Sequence, residues 1–345
     1  MRPRVDARVV SVLLAEAPAV IEEVMEASAS LRAKRDGGRR ACELEYGAQA
    51  RALAAAVDLR APSVIRAHAR WAEQLHESSG LPRGSVGACL RALAARVREL
   101  KLTAGERAQL SLALDVGIEA AEEVHPDFQL ELDDAVRAAL RGDREKFLAE
   151  VASWREECGP RGAVLGIARV QRLAGEAWMR HQATVVEEHR ATELTELALA
   201  TLAPYTWGAP GDRHRGAAIL ASAPGEFHVT GIRLAAHLLE LEGFSVEVLG
   251  ADTPAVQLAV AAVERKPALV GIGVAAIDHL PAAREAVAMV RHAAPQACIV
   301  VGGFAARSAG APALGADVLV PELFDGRIGP PHRGPSAGSG PDAIR

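Results

Sequence analysis

No two cysteines in this chain are spaced as C-x-x-C. The four present, Cys42, Cys89, Cys158 and Cys298, are scattered over 345 residues, which argues against a structural zinc site or a disulfide framework and suits a reducing cytoplasm. Dense basic stretches are missing too, apart from short patches at 32–40 and 91–98, and the formal net charge is −5. The electrostatic footprint of a nucleic-acid binder is therefore absent. No apolar run is long enough to cross a bilayer, and the N-terminus lacks a signal peptide's uninterrupted apolar core. A soluble cytoplasmic protein without nucleic-acid or membrane contact is expected. What the chain does have is apolar residues at 50% of its positions, enough at this length for two or three domains with cores of their own.

Up to about residue 200 the apolar positions recur at three and four, with many Ala, Leu, Arg and Glu, which predicts helix throughout. Breaks are expected at Asp36-Gly37-Gly38, at 78–82 and at His125-Pro126-Asp127. These divide the helical part into a domain over 1–125 and a four-helix bundle over 126–209, with turns at Gly142-Asp143, Gly159-Pro160 and after Trp178. A linker is expected over 204–215. Beyond it, short apolar runs at 217–222, 244–250, 268–274, 298–303 and 317–321 alternate with amphipathic helices. Five strands with helical crossovers predict a doubly wound parallel sheet over 210–325, with Pro254 in the first helical position of the crossover after strand two. The Gly, Pro and Ser content of 326–345 predicts a disordered tail.

Glu226-Phe227-His228-Val229-Thr230-Gly231 follows the first of these strands and opens the first crossover helix, at the edge where open α/β sheets bind ligands. A histidine in such a turn can coordinate a metal from above the strands. A carboxylate two residues earlier can accept its other ring N–H, fixing the tautomer and raising basicity. No further His, Cys, Asp or Glu stands at a spacing that completes a tetrahedral site, so a single histidine suits a metal already caged by a macrocycle. His214, His237, His279 and His292 lack a partner pattern and read as solvent-facing or packing residues, and Asp252 as a residue at a helix start.

Together with Gly302-Gly303 after the fourth strand, Glu226-x-His228-x-x-Gly231 resembles the cobalamin-binding domain of methionine synthase, the mutases and their relatives. The resemblance implies a Rossmann-like fold and His228 as the lower axial ligand of cobalt, replacing the cofactor's own dimethylbenzimidazole. It also implies Glu226 and Phe227 beside His228, and glycines at 231, 273, 302 and 303 where backbone meets the displaced nucleotide tail. The family's Ser-x-Leu segment aligns with Gly273-Val274-Ala275, so its serine is missing here.

Thr184-Val185-Val186-Glu187 is a capping box that starts a new helix just after the one carrying Trp178. Trp178, nine residues, then Glu188-His189 is similar to the W-x9-E-H signature of B12-dependent photoreceptors of the CarH type. That resemblance implies a bundle covering the upper face of adenosylcobalamin, with Trp178 against the adenosyl group and Glu188 and His189 recognising it. The histidine that follows the tryptophan in the transcriptional members is Met179 here, with His181 two residues later.

The segment 42–75 is similar to the helical, globin-like N-terminal domain of photocobilins, which implies biliverdin beside Tyr46, His68 and Trp71. Arg70 is a further lining candidate, Arg39 or Arg40 a propionate partner and Cys42 a thiol for covalent attachment. The whole then reads as a multi-domain α plus α/β light sensor, not an enzyme. Photolysis of its Co–C bond would alter domain arrangement or self-association, as a dimer that assembles in a light-dependent way, and would signal to an unknown downstream protein. The alternative is a corrinoid methyl carrier of a methyltransferase system.

Overall fold

The computed structural model describes residues 5–34, 36–75, 81–123, 130–207 and 215–320. The expected boundary at 125–127, His214 and the tail over 326–345 lie outside them. Seven helices come first: α1 (Val5–Ala15), α2 (Ala17–Ala27), α3 (Ala29–Ala33), α4 (Asp36–Leu59), α5 (Ser63–Gln74), α6 (Ser85–Arg96) and α7 (Ala104–Glu122). Local chemistry sets several starts: Ser28 accepts the Leu31 N–H ahead of α3, and Thr103 with Glu106 forms a capping box ahead of α7. Asp36-Gly37-Gly38, expected as a break, is instead the first turn of α4. A side chain at position 38 would meet the Leu31 carbonyl at 2.6 Å, so Gly38 permits close passage of α3 rather than ending a helix.

The second unit comprises α8 (Asp134–Arg141), α9 (Arg144–Met179) and α10 (Val185–Thr206). Gly159, at φ 71° and ψ 177°, breaks α9 ahead of Pro160, so the unit has the four rods that the turn positions predict. Thr184 and Glu187 form the expected capping box on α10, the Glu187 carboxylate accepting the Thr184 N–H at 2.7 Å. The linker expected from 204 starts later, because Pro204 sits within the last turns of α10. The Thr206 hydroxyl hydrogen-bonds His237 at 2.7 Å, which ties that end down.

Strands β1 (Ala217–Ser222), β2 (Ser245–Gly250), β3 (Leu269–Gly273), β4 (Cys298–Gly302) and β5 (Val318–Val320) pair in parallel in the order β2-β1-β3-β4-β5. The crossovers are α11 (Thr230–Leu241), α12 (Ala255–Arg265), a 3₁₀ turn (Ile277–His279) leading into α13 (Leu280–Ala293), and the short α14 (Phe304–Ala309) and α15 (Ala311–Leu314). Gly243, left-handed at φ 90°, ends α11 with the Phe244 N–H reaching back to the Leu239 carbonyl at 3.0 Å. Pro254 proves to be the residue before α12, with ψ 135°, and not its first helical position.

Side chains alternate across β1. Ala218 and Leu220 pack with Ile232, Leu239 and Phe244 on the α11 side, while Ile219 and Ala221 face the α12–α13 side. Each face then carries one helical unit. The bundle buries Leu234 and Leu238 of α11 in its own core. The N-terminal helices share a core with the opposite face, where Arg51 pairs with Asp278 at 2.6 Å and Arg284 donates to the Asp58 carbonyl at 3.0 Å.

His237 lies where α11 meets α10, largely buried, with Thr206 beside it, Glu240 on its own helix 4.0 Å away, and Glu196 of α10 acting on its charge. Burial lowers its pKa, and the opposing influence of Glu196 is the weaker one. The ring is thus held neutral in the folded state. Stability from this contact is complete above the ordinary value of 6.5 and falls as pH drops toward the lowered folded value. His237→Gln is expected to flatten the decline of melting temperature between about pH 7 and pH 5; an unchanged slope would show that the ring pays nothing for its burial.

Candidate functional site

The strand order reverses between β1 and β3, and the loops leaving their carboxyl ends form a crevice at this switch point. The β1 loop carries Glu226 and His228, and the β3 loop carries Ala275 and Ala276. Glu226 is 1% exposed and uses both carboxylate oxygens. One accepts the His228 backbone N–H at 3.0 Å and the His228 Nδ1–H at 2.5 Å. The other accepts the backbone N–H groups of Ala275 at 2.8 Å and Ala276 at 2.9 Å. Burial alone would raise its pKa, but these hydrogen bonds outweigh burial and bring it down to about 2. Two backbone amides of the loop after β3 thus anchor the carboxylate. The same bond to Glu226 raises the His228 pKa, with the charge of Glu226, and then of Glu188, adding to it against burial.

Because Nδ1 is held by Glu226, Nε2 is the ring nitrogen left to a ligand, and the side chain is 74% exposed. Residues that carried no sequence signal brace this turn. The buried Ser222 hydroxyl donates to the His228 carbonyl at 3.0 Å. Asp252, read as a plain helix-start residue, accepts the Gly225 N–H at 2.7 Å and donates its own N–H to the Glu226 carbonyl at 2.8 Å. His279 packs against Gly225, where a side chain would meet its ring at 2.8 Å. His292 is exposed, as expected.

The four glycines divide into two kinds. At Gly273 a side chain would meet Ile232 at 2.7 Å, and at Gly303, with φ 105°, it would meet the Val274 carbonyl oxygen at 2.3 Å. These two are explained by the protein's own packing. At Gly231 nothing lies within 4 Å, and at Gly302 the nearest atom is Val320 Cβ at 3.7 Å. Those two positions leave room for something to approach the backbone.

Helix α10 approaches the crevice from the bundle. Glu196 accepts the Thr230 hydroxyl at 2.6 Å and pairs with Arg233, both on the first turn of α11. Val185, His189 and Glu196 share a stripe of α10, so His189 stands about 10 Å further along the helix from the Glu196 anchor. Both Val185 and His189 are exposed, as is Phe227 beside His228. Trp178 and Met179 are half-buried at the end of α9, and His181 is exposed in the following turn. Glu188 accepts from Gln171 and Thr192. Gln171 and Thr192, which hold Glu188, carried no sequence signal, and neither did Ser222.

The residues named for a second pigment lie in the N-terminal unit. Tyr46 is buried and donates its hydroxyl to the Leu13 carbonyl at 2.7 Å. His68 is buried with Nε2 3.4 Å from Glu45, and its ring centroid is 6.0 Å from that of the half-buried Trp71. Arg39 pairs with Glu22 at 2.5 Å and Arg70 with Glu123 at 2.6 Å, while Arg40 is exposed. Cys42 is fully buried, and burial raises its thiol pKa.

The lower side of the crevice fits a caged cobalt on the chemistry of its donors. One imidazole nitrogen is offered, its tautomer is set by a buried carboxylate, and among the described residues no group of three His, Cys, Asp or Glu could hold a bare metal ion. A doubly wound domain with one histidine presented at its switch point is the class that fold and site define. Residues 216–323 match the family model described as the B12 binding domain, so the chain carries a cobalamin-binding domain. No curated protein matches. Among solved structures, the chain is similar to the monomethylamine corrinoid protein of Methanosarcina barkeri, at 15% identity and a TM-score of 0.49 over 56% of this chain and 93% of that one. It is also similar to a cobalamin-binding protein from Desulfitobacterium hafniense DCB-2, at 20% identity and a TM-score of 0.35 over 56% and 93%. A third similarity is to the methanol:cobalamin methyltransferase complex of Methanosarcina barkeri, at 16% identity and a TM-score of 0.29 over 50% and 66%.

Proposed function

We propose that the chain is a cobalamin-holding protein, not itself an enzyme, in which His228 Nε2 is the lower axial ligand and the bundle covers the upper face. The observation that carries this is the Glu226–His228 contact at 2.5 Å, made by a buried carboxylate anchored on two amides of the neighbouring loop. When bound, the cofactor would supply a cobalt–carbon bond open to transfer or cleavage. Glu226 fixes the orientation of the imidazole and makes its outer nitrogen a stronger donor. Gly231 and Gly302 leave the backbone approachable beside the loop. Glu196 clamps α10 to α11 so that the two sides of the site keep their spacing.

Two uses of such a site follow. A corrinoid carrier, which passes a methyl group between partner enzymes, needs nothing beyond the lower ligand and the matched domain, and it is the reading that requires the fewest additional parts. A light sensor holding adenosylcobalamin, with biliverdin as a second pigment, is favoured by one specific arrangement. Trp178 is placed at the end of α9, Glu188 and His189 lie in the first turns of α10, and the charge of Glu188 acts on His228. One experiment separates them. The full chain is loaded with adenosylcobalamin in darkness and then exposed to green light, with absorbance and size-exclusion profiles recorded before and after. Light-driven conversion to a hydroxocobalamin-like spectrum with a change in elution supports the sensor, and a red absorption band on adding biliverdin supports its second pigment. An unchanged elution profile, with methylcobalamin demethylated by an added thiol methyltransferase system, supports the carrier. Failure to bind any cobalamin sinks both.

A further inference from the structure

The 3₁₀ turn after β3 is gripped from two sides. On one side is the loop of Glu226 and His228: Ala275 and Ala276, which lead into the turn, give their N–H groups to Glu226, and the His279 ring lies against Gly225, where a side chain would meet it at 2.8 Å. On the other is the N-terminal unit, whose helix α4 packs against the turn. Ile277 is 8% exposed and belongs to the core that those helices share with the sheet, and Asp278 accepts from Arg51 Nε at 2.6 Å. The contact continues beyond the turn. Arg284 of α13 donates to both the carbonyl and the carboxylate of Asp58, and Ser63 of α5 donates to the Ser308 carbonyl on α14. The stretch 275–279 thus joins α4 directly to the pair that offers the imidazole.

We propose that the N-terminal helical unit is a positioning part of the cobalamin site: through Arg51 and the core around Ile277, α4 fixes the turn whose preceding amides anchor Glu226, and with it the orientation of the His228 imidazole. The inference rests on the cobalamin reading above and gives a role in it to helices outside the matched domain. A carboxylate holds an imidazole only as firmly as its own anchor is held. Outer partners of a ligating histidine typically carry 10–100-fold of metal affinity. Arg51 acts one step beyond Glu226 through an exposed ion pair, so its own share is smaller. Coupling of this kind runs both ways: whatever the docked helices add to cobalamin affinity, bound cobalamin adds to their docking.

The test has a ligand-free arm and a cobalamin arm, both run on the full-length chain and on its Arg51→Glu, Arg51→Glu/Asp278→Arg and Arg265→Glu variants. Arg265 pairs with Glu247 at 2.8 Å on the β2 edge of the sheet, is at least as exposed as Arg51, and serves as the control. Without ligand, hydrogen exchange over 274–280 is expected to quicken about fivefold in Arg51→Glu, the upper end of what an exposed ion pair contributes, and to return to the wild-type rate in the charge swap. Exchange over β2 stays unchanged, which separates local loosening from a loss of global stability. Titrated with adenosylcobalamin in darkness, Arg51→Glu loses affinity by up to the same factor, the charge swap restores it, and Arg265→Glu binds as the wild type does. Wild-type exchange and affinity in Arg51→Glu, a loss that the charge swap leaves in place, or an equal loss in Arg265→Glu would each overturn the inference. A wild type that binds no cobalamin overturns the reading beneath it instead, and the ligand-free arm still decides whether α4 fixes the turn.

Discussion

His228→Ala is expected to lose the histidine-ligated cobalamin spectrum altogether, with affinity reduced on the order of 100-fold or with the cofactor retained in its base-on form. Removal of an outer partner alone typically costs 10–100-fold, so removal of the ligand itself sets that range as a floor. The effect is large because the ligating nitrogen itself is removed. No group of three metal-ligating side chains occurs among the described residues, and His279, on the neighbouring 3₁₀ turn, packs against Gly225. Absorbance titration in darkness checks the result. A variant with the wild-type spectrum and affinity would place the cobalt ligand somewhere other than this loop.

Glu226→Leu is expected to destabilise the ligand-free chain by about 3 kcal/mol in urea unfolding, the equivalent of holding a carboxyl near 2 instead of 4.5. Burial argues for the same outcome. The substitution removes the acceptor for the His228 ring, the His228 amide and the Ala275 and Ala276 amides, and leaves those donors without it. The folded pKa is depressed, so the contribution is present above about pH 4.5 and is lost as pH falls toward 2. Cobalamin affinity should fall 10–100-fold in the same variant, because the imidazole loses its fixed tautomer. Glu226→Gln, which keeps the shape but cannot accept from all four donors, should lie between the two. A variant as stable as the wild type would show that the loops hold themselves in place without the carboxylate.

How far the site could be read without coordinates depends on the kind of contact that builds it. Glu226 and His228 are two residues apart in one turn, so their pairing is a local matter and is written in the order of the residues. The same is true of the Thr184–Glu187 box, the glycine after α11 and the five apolar runs, because helix capping and strand patterning are short-range effects. Asp36-Gly37-Gly38 and Pro204 show the limit of that reasoning. Both are breakers by local propensity, yet Asp36-Gly37-Gly38 forms the first turn of α4 and Pro204 lies within the last turns of α10.

Other features join residues far apart in the chain and had no local signal. The amides that hold Glu226 are 49 and 50 positions away and belong to alanines, whose side chains announce nothing. Asp252 meets Gly225 only because β1 and β2 end side by side. Arg51 reaches Asp278 across 227 positions, tying α4 to the turn that follows those same alanines. Which glycines are occupied by neighbours and which leave open space is likewise invisible in a string of identical letters. Composition and periodicity were enough to state the layered α plus α/β architecture, and the Glu226-x-His228-x-x-Gly231 pattern with Gly302-Gly303 singled out His228 by its resemblance to cobalamin-binding domains. The anchoring of its partner carboxylate, and the seating of one helical unit on each face of the sheet, depend on backbone groups and surfaces that acquire neighbours only when the chain closes on itself.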